Sequence, residues 1–168
     1  MSAEEKLRHI EIFKYLTVEE CDRVLADADE RRFKRGDLIF AANTPGNEMF
    51  MIKQGRVKAF KFFEGNEIVF AEFGPGDVFG EMSLIDEYPR SAAAAAVEDC
   101  AVLALSRVAF KNIVERDTAL GVKLLTAIAE LFSKRMRKTD KQLETYHLVN
   151  KALITNEEFR QLYTAMHT

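Results

Sequence analysis

The sequence predicts an α+β fold in which many short antiparallel strands roll into a jelly-roll-like barrel flanked by helices. Three observations carry this. From about Arg31 to Ser106, short apolar runs alternate with glycine-bearing turns at even spacing. On both sides of that stretch the apolar residues recur at threes and fours, the period of a helix. The chain has 168 residues, 48% hydrophobic and 30% charged, enough for one core of ordinary size with an appended element.

The elements follow in order. Ser2 with Glu5 makes a capping box, and Leu7, Ile10, Phe13 and Leu16 share a helical face. Thr17 with Glu20 makes a second capping box, opening a short helix that carries Val18, Cys21, Val24 and Leu25. Turns are expected at Gly36-Asp37, Pro45-Gly46-Asn47, Gly55, Gly65-Asn66 and Gly74-Pro75-Gly76-Asp77. The runs "EMFMIKQG", "RVKAFKFF" and "NEIVFAEF" read as meander strands, with "GNE" as the hairpin turn between the last two. "KRGDLIF" and "GPGDVFG" share one shape and predict two similar turns into strands. "AAAAAV" and "CAVLALS" read as the closing strands. Ser106 caps a short helix, "RVAFKNIVER".

A longer helix runs from Asp117 to about Asn150. Its stripe is Leu125, Ile128, Phe132, Thr139, Leu143 and Tyr146, widened by Leu124, Ala127 and Leu131. A helix of about 30 residues spans roughly 45 Å, longer than a small barrel covers, so a second copy of the same helix is the expected partner. Thr155 with Glu158 makes a third capping box, opening a terminal helix with Phe159, Leu162 and Tyr163. The expected organisation is 1–117 as the roll with its leading helices, 118–150 as a dimerisation helix and 151–168 as a short terminal helix.

Composition excludes several classes. A net charge of −3 provides no basic field to attract nucleic acid. The two cysteines, Cys21 and Cys100, form no CxxC and suit a reducing compartment. The start, "MSAEEKLRHI", is not a signal peptide, and no apolar run approaches the roughly 20 residues of a membrane span, so a cytoplasmic location is expected. No metal or cofactor is expected. His9, His147 and His167 lie far apart without ligand spacing, and no nucleophile–base constellation stands out, so no enzyme is expected.

The chemistry concentrates in "FGEMSLIDEYPRSAAAAA". Glu81 and Arg90 beside so much alanine either pair with each other or await a polar ligand, since each costs several kcal/mol to bury alone. Gly80 admits a ligand close to the backbone. A short helical turn at "EMSL" would present the amides of Met82 and Ser83 to an anion. The fork of Arg90 suits two phosphate oxygens, and Ser91 adds a hydroxyl. Glu81 would repel a phosphate, but can accept from a sugar hydroxyl. Ala92 and its neighbours keep the wall thin. The set describes a pocket for a sugar phosphate whose other end is apolar. Phe62, Phe63, Phe70, Phe73 and Phe79 are numerous enough to fill such a pocket from within.

"GEMSLIDEYPRSA" resembles the phosphate-binding cassette of cyclic-nucleotide-binding domains. The resemblance covers about residues 10–145 and implies an eight-stranded β-roll. It implies that Arg90 holds the cyclic phosphate and that Glu81 takes the ribose 2′-hydroxyl. Gly80, the amides of Met82, Ser83 and Ala92, and the Ser91 hydroxyl complete the cradle. Serine at position 91 is, by the same resemblance, the choice of cAMP binders; a threonine hydroxyl would bond the guanine amino group. The expected ligand is therefore cAMP, with cGMP as the alternative. The long helix resembles the dimerisation helix of bacterial catabolite-activator-like regulators. That likeness implies base contacts from Thr139 and Asp140 and a homodimer in which ligand binding rearranges the helix pair. The basic cluster Lys134, Arg135, Arg137, Lys138 and Lys141 is flanked by acids and reads as a solvated face. About eighteen residues follow Asn150, too few for a helix-turn-helix domain, so no DNA binding is expected of this chain alone. The expected function is a sensor that signals to a protein effector. The alternatives are the sensor half of a transcription regulator, or a structural module with a closed pocket.

Overall fold

The structure, a computed structural model, describes residues 9–166. The Ser2–Glu5 capping box, Leu7 and His167 lie outside the described residues. Contacts divide the chain into two compact units, one ending at Ile128 and the other starting at Ala129.

The first unit opens with a 3-10 turn, Glu11–Phe13, and helix α1, Val18–Ala26. The expected capping box is present: the Thr17 amide donates to Glu20 Oε2 at 2.8 Å, and the Glu20 amide donates to Thr17 Oγ1 at 3.3 Å. Eight strands follow: β1 (Ala28–Phe33), β2 (Leu38–Phe40), β3 (Glu48–Gln54), β4 (Val57–Phe63), β5 (Asn66–Phe73), β6 (Val78–Phe79), β7 (Ala93–Ala96) and β8 (Cys100–Ser106). Between β6 and β7 lies α2, Met82–Ile85. After β8 come α3, Arg107–Arg116, and the long α4, Thr118–Thr155.

The strands form two four-stranded antiparallel sheets, in the orders β1-β8-β3-β6 and β2-β7-β4-β5. The expected single eight-stranded roll closed as a barrel is therefore corrected. Among the described residues no ladder joins the two sheets. The strands at the corners, β2 with three residues and β6 with two, are too short to bridge them. The two "Gly-Asp" stretches fold alike, as expected. Gly36 and Gly76 sit at φ +90° and +91°, where glycine is favoured. Asp37 and Asp77 then accept the amides of Lys34 and Gly74 at 2.7 and 2.8 Å.

The core lies between the sheets. Phe50 and Ile52 of β3, Phe79 of β6 and Val102 and Ala104 of β8 meet Val57, Ala94 and Ala96 of the other sheet, with Phe33, Ile39, Phe40 and Phe73 packed around them. The alternate residues Met49, Met51, Leu103 and Leu105 are buried too, so the first sheet is covered on both faces. The buried Val24, Phe110, Ile113, Leu120 and Leu124 of the helices supply apolar cover. α1 is tied to α4 by Lys123, whose Nζ donates to both Glu20 oxygens at 2.7 and 2.8 Å. Arg23 donates to Asp117 at 2.8 Å. No helix among the described residues is long and apolar enough to cross a membrane.

In the second unit α4 continues past Asn150 to Thr155, because neither glycine nor proline stops it. Thr155 is thus not the cap expected. Its hydroxyl donates back to the Lys151 carbonyl at 2.8 Å, and Asn156 caps the terminal helix α5, Glu157–Met166, by accepting the Phe159 amide at 3.0 Å. Along α4, Leu143 and Tyr146 of the expected stripe are exposed in the single chain.

Two expected outcomes follow from local geometry. The β4–β5 turn is Glu64-Gly65, one step before the expected "GNE", with both residues at positive φ (+51° and +82°) and Phe63 paired with Asn66. That is a type I′ turn, in which glutamate is strained and asparagine is at home. Glu64→Asn raises stability by about 0.5–1 kcal/mol, read as a higher denaturation midpoint at unchanged slope. The hydrogen bond from Lys123, helped by that of the Thr17 amide, holds the Glu20 carboxyl below its ordinary 4.5. The Leu120 amide and Arg23 lower Asp117 likewise. Both groups have depressed folded values, so their stabilisation is complete above the unfolded values and lost as pH falls through the folded ones. Denaturant titrations at descending pH show stability falling in acid, and Lys123→Met removes part of that dependence.

Candidate functional site

The segment 79–92 is shaped by Gly80. Its φ of +71° is a conformation glycine favours, and a Cβ there would stand 2.6 Å from Arg90 Nη1 and 3.2 Å from the Glu48 carbonyl. The chain then enters α2, with Glu81 buried at the N-cap position just before it. The short helical turn lies one residue on from where the sequence placed it. Ser83 N–H donates to the Gly80 carbonyl at 3.2 Å, closing the turn. Leu84 N–H donates to Glu81 O, and Asp86 N–H to Met82 O, each at 3.0 Å. The Met82 side chain is exposed, and Ser83 is buried.

Arg90 is 6% exposed. Its backbone is pinned by the preceding loop: its amide donates to Thr44 O at 2.8 Å, and its carbonyl accepts Asn43 N–H at 2.9 Å. The guanidinium carbon lies 4.1 Å over the Phe40 ring, a desolvated cation–π contact of about 2 kcal/mol. Phe40 in turn stacks on Phe50, and Phe50 on Phe79. Nη1 donates to the Gly80 carbonyl at 3.1 Å. Nε is buried without any hydrogen-bond acceptor among the described residues. Burial presses the Arg90 pKa downward, against the attraction of Glu48 and Glu81 and together with repulsion from Arg107. An arginine stays charged regardless. The result is a cation with one face on a ring, one corner on a carbonyl and an unmatched donor. Such a donor is costly until an acceptor meets it.

Ser91 is exposed and Ala92 half-buried, at the entry to β7. Thr139 and Asp140 belong to the second unit. Both are exposed there, and the Thr139 hydroxyl donates to Arg135 O at 3.1 Å. Of the phenylalanines considered as pocket fillers, Phe62, Phe63 and Phe70 face solvent, while Phe73 and Phe79 stack on each other in the core.

Three residues escaped the sequence reasoning. Gly46 lies so close to the arginine that a Cβ would come within 2.5 Å of both Arg90 Nε and Ser83 Oγ. Phe40 supports the guanidinium. Arg107 donates from Nε to Ser83 O at 2.6 Å and from Nη2 to Gly46 O at 3.1 Å and to Asp86 O. Only the "PGN" turn signal hinted at any of them.

Residues 30–117, just over half the chain, match the family model described as the cyclic nucleotide-binding domain. The chain is 36% identical over 134 residues to the cyclic AMP receptor protein of Thermus thermophilus, covering 79% of this chain and 60% of that one. It is 30% identical to a cAMP-dependent protein kinase regulatory subunit of Hypocrea atroviridis, over 74% of this chain and 27% of that one. The crystal structure of the Thermus thermophilus catabolite activator protein superposes with a TM-score of 0.73 at 34% identity, covering 83% of this chain and 64% of that one. The chain thus spans less than two thirds of each of these relatives. These relatives are a receptor protein, an activator protein and a regulatory subunit.

Gly80→Ala tests the close approach. The added methyl must displace the guanidinium or strain the left-handed backbone, and stability falls by about 1–3 kcal/mol in chemical denaturation.

Proposed function

Because the chain belongs to the cyclic nucleotide-binding domain family, we propose that it binds a cyclic nucleotide, cAMP in preference to cGMP, and acts as a regulatory sensor rather than an enzyme. The unmatched Nε of buried Arg90 carries this proposal. With Nη1 held by Gly80 O, the remaining donors of the fork suit the two exocyclic oxygens of a cyclic phosphate, a bidentate charge-assisted pair. Glu81, buried close enough to attract Arg90, accepts from the ribose 2′-hydroxyl. The Met82 and Ala92 amides and the Ser91 hydroxyl complete the cradle, and Gly80 leaves room for it. The Ser83 amide joins the cradle, while its hydroxyl packs close to Gly46.

Thr139 and Asp140 supply base contacts from α4, in a homodimer formed through that helix and its exposed Leu143 and Tyr146. Ligand then favours one arrangement of the helix pair over another by its differential affinity, and the change is passed to a protein effector. No cofactor is required for such a role, and the chemistry is binding alone.

Calorimetry with cAMP, cGMP, AMP and GMP tests the proposal. The cyclic forms bind, and cAMP binds most tightly. Arg90→Ala weakens cAMP binding by about 2–5 kcal/mol, and Arg90→Lys recovers little of it, since an ammonium cannot reproduce the fork. Heat-free titrations with both cyclic nucleotides, and no rise in melting temperature, would sink it.

A further inference from the structure

Arg107 has no part in the binding roles above, yet its surroundings demand a reason for it. It is the first residue of α3, at the positive end of that helix, where a cation is electrostatically unwelcome. It also repels the buried Arg90. Against these two penalties stand the carbonyls of Ser83 and Asp86, at the end of α2, and of Gly46, all accepting from a side chain that is 14% exposed. Its own amide donates to Asn47 O at 2.7 Å. Its ion pair with Glu87, at 3.1 Å, is peripheral because Glu87 is 86% exposed. Arg107 thus fastens the loop at 46–47 and the C-terminal part of α2 with its cap, 83–86, to the start of one helix.

Gly46 gives that fastening its meaning. A Cβ on Gly46 would stand 2.5 Å from Arg90 Nε, so only glycine fits there, and its carbonyl is held by Arg107. A guanidinium that shifts to grip an anion would press on Gly46 or release it, and the hydrogen bond from Arg107 to the Gly46 carbonyl would carry that shift towards α3. From there α3 leads to α4 through a tight contact: a Cβ on Gly121 would come within 2.9 Å of Val114 Cγ1. The steps are continuous from anion site to helix junction, and all lie in the first unit.

We propose that Arg107 is a positioning residue that couples occupation of the Arg90 site to helix α3 and the α3–α4 junction. The proposal rests on the binding role assigned to Arg90. The test is hydrogen exchange with and without saturating cAMP, alongside calorimetry, on the full chain. In the wild type, cAMP protects both 80–92 and 107–121. In Arg107→Met, affinity falls about tenfold, within the usual range of coupling between sites. Protection persists at 80–92 but is lost at 107–121. Arg107→Lys, which can reach fewer of the three carbonyls, gives intermediate protection at 107–121 and decides the matter should the methionine variant not fold. Glu87→Ala, which severs only the exposed pair, behaves as wild type. A purely stabilising arginine would lower the melting temperature without separating the two segments. Unchanged protection at 107–121 in Arg107→Met, or in the lysine variant where that alone folds, overturns the coupling and leaves the binding role standing. Failure of the wild type to bind cAMP or cGMP overturns the binding role, and the coupling with it.

Discussion

Taking the Arg90 guanidinium out of water costs several kcal/mol, and its neighbourhood is arranged around that cost. The Phe40 ring and the Gly80 carbonyl offset part of it. Glu48 and Glu81 provide negative potential. Glu48 is itself held by Arg31 through a bidentate pair at 2.5 and 2.9 Å, so its charge is shared between two arginines. Two glycines, Gly46 and Gly80, give the guanidinium space that any Cβ would take. What is left over is one buried donor without an acceptor, and such residues are rare unless something else completes them. The proposed ligand follows from that imbalance more directly than from the overall fold.

The same arginine explains which parts of the site the sequence could reveal. Glu81 and Arg90 lie in one short segment, and a charged pair next to small residues is visible by eye. Turn chemistry is equally local: Gly36-Asp37 and Gly76-Asp77 announce their conformation by residue type, as do the caps at Thr17 and Ser106. Gly46, Phe40 and Arg107 reach the site through space, from three separate elements, and no spacing rule connects them to Arg90. The bond from the Ser83 amide to the Gly80 carbonyl was not legible, because it depends on the φ of Gly80 rather than on residue type. Barrel closure also depended on strand length at the corners, where pattern is least informative. Thr155 and Asn156 are both good caps, and the choice between them turned on where α4 ended.

The alanine strand β7 has a cause that its composition hides. Ala94 and Ala96 face the inter-sheet core, while Ala93 and Ala95 pack with Phe60 and Ala42 on the other side. In register, Ala94 sits opposite Phe40 on one neighbour and Ala59 on the other, and Ala93 sits opposite Phe60. The small side chains are the volume complement of large rings in a close-packed interior. They make room for the stack of Phe40, Phe50, Phe79 and Phe73, and that stack is the floor beneath the guanidinium.

Two physical routes therefore lead from Arg90 towards α3. One passes down through Phe40 into the core shared with Val102 and Ala104 of β8, whose last residue, Ser106, caps α3. The other passes through Gly46 to Arg107. The first is a set of stacked rings and alanines with little room, and close-packed cores resist graded displacement. The second is a loop held by a few hydrogen bonds, each of modest net worth and easily lengthened. Any coupling of the proposed anion to α3 would therefore run through the hydrogen-bonded route, because the ring stack under the arginine is the stiffer of the two.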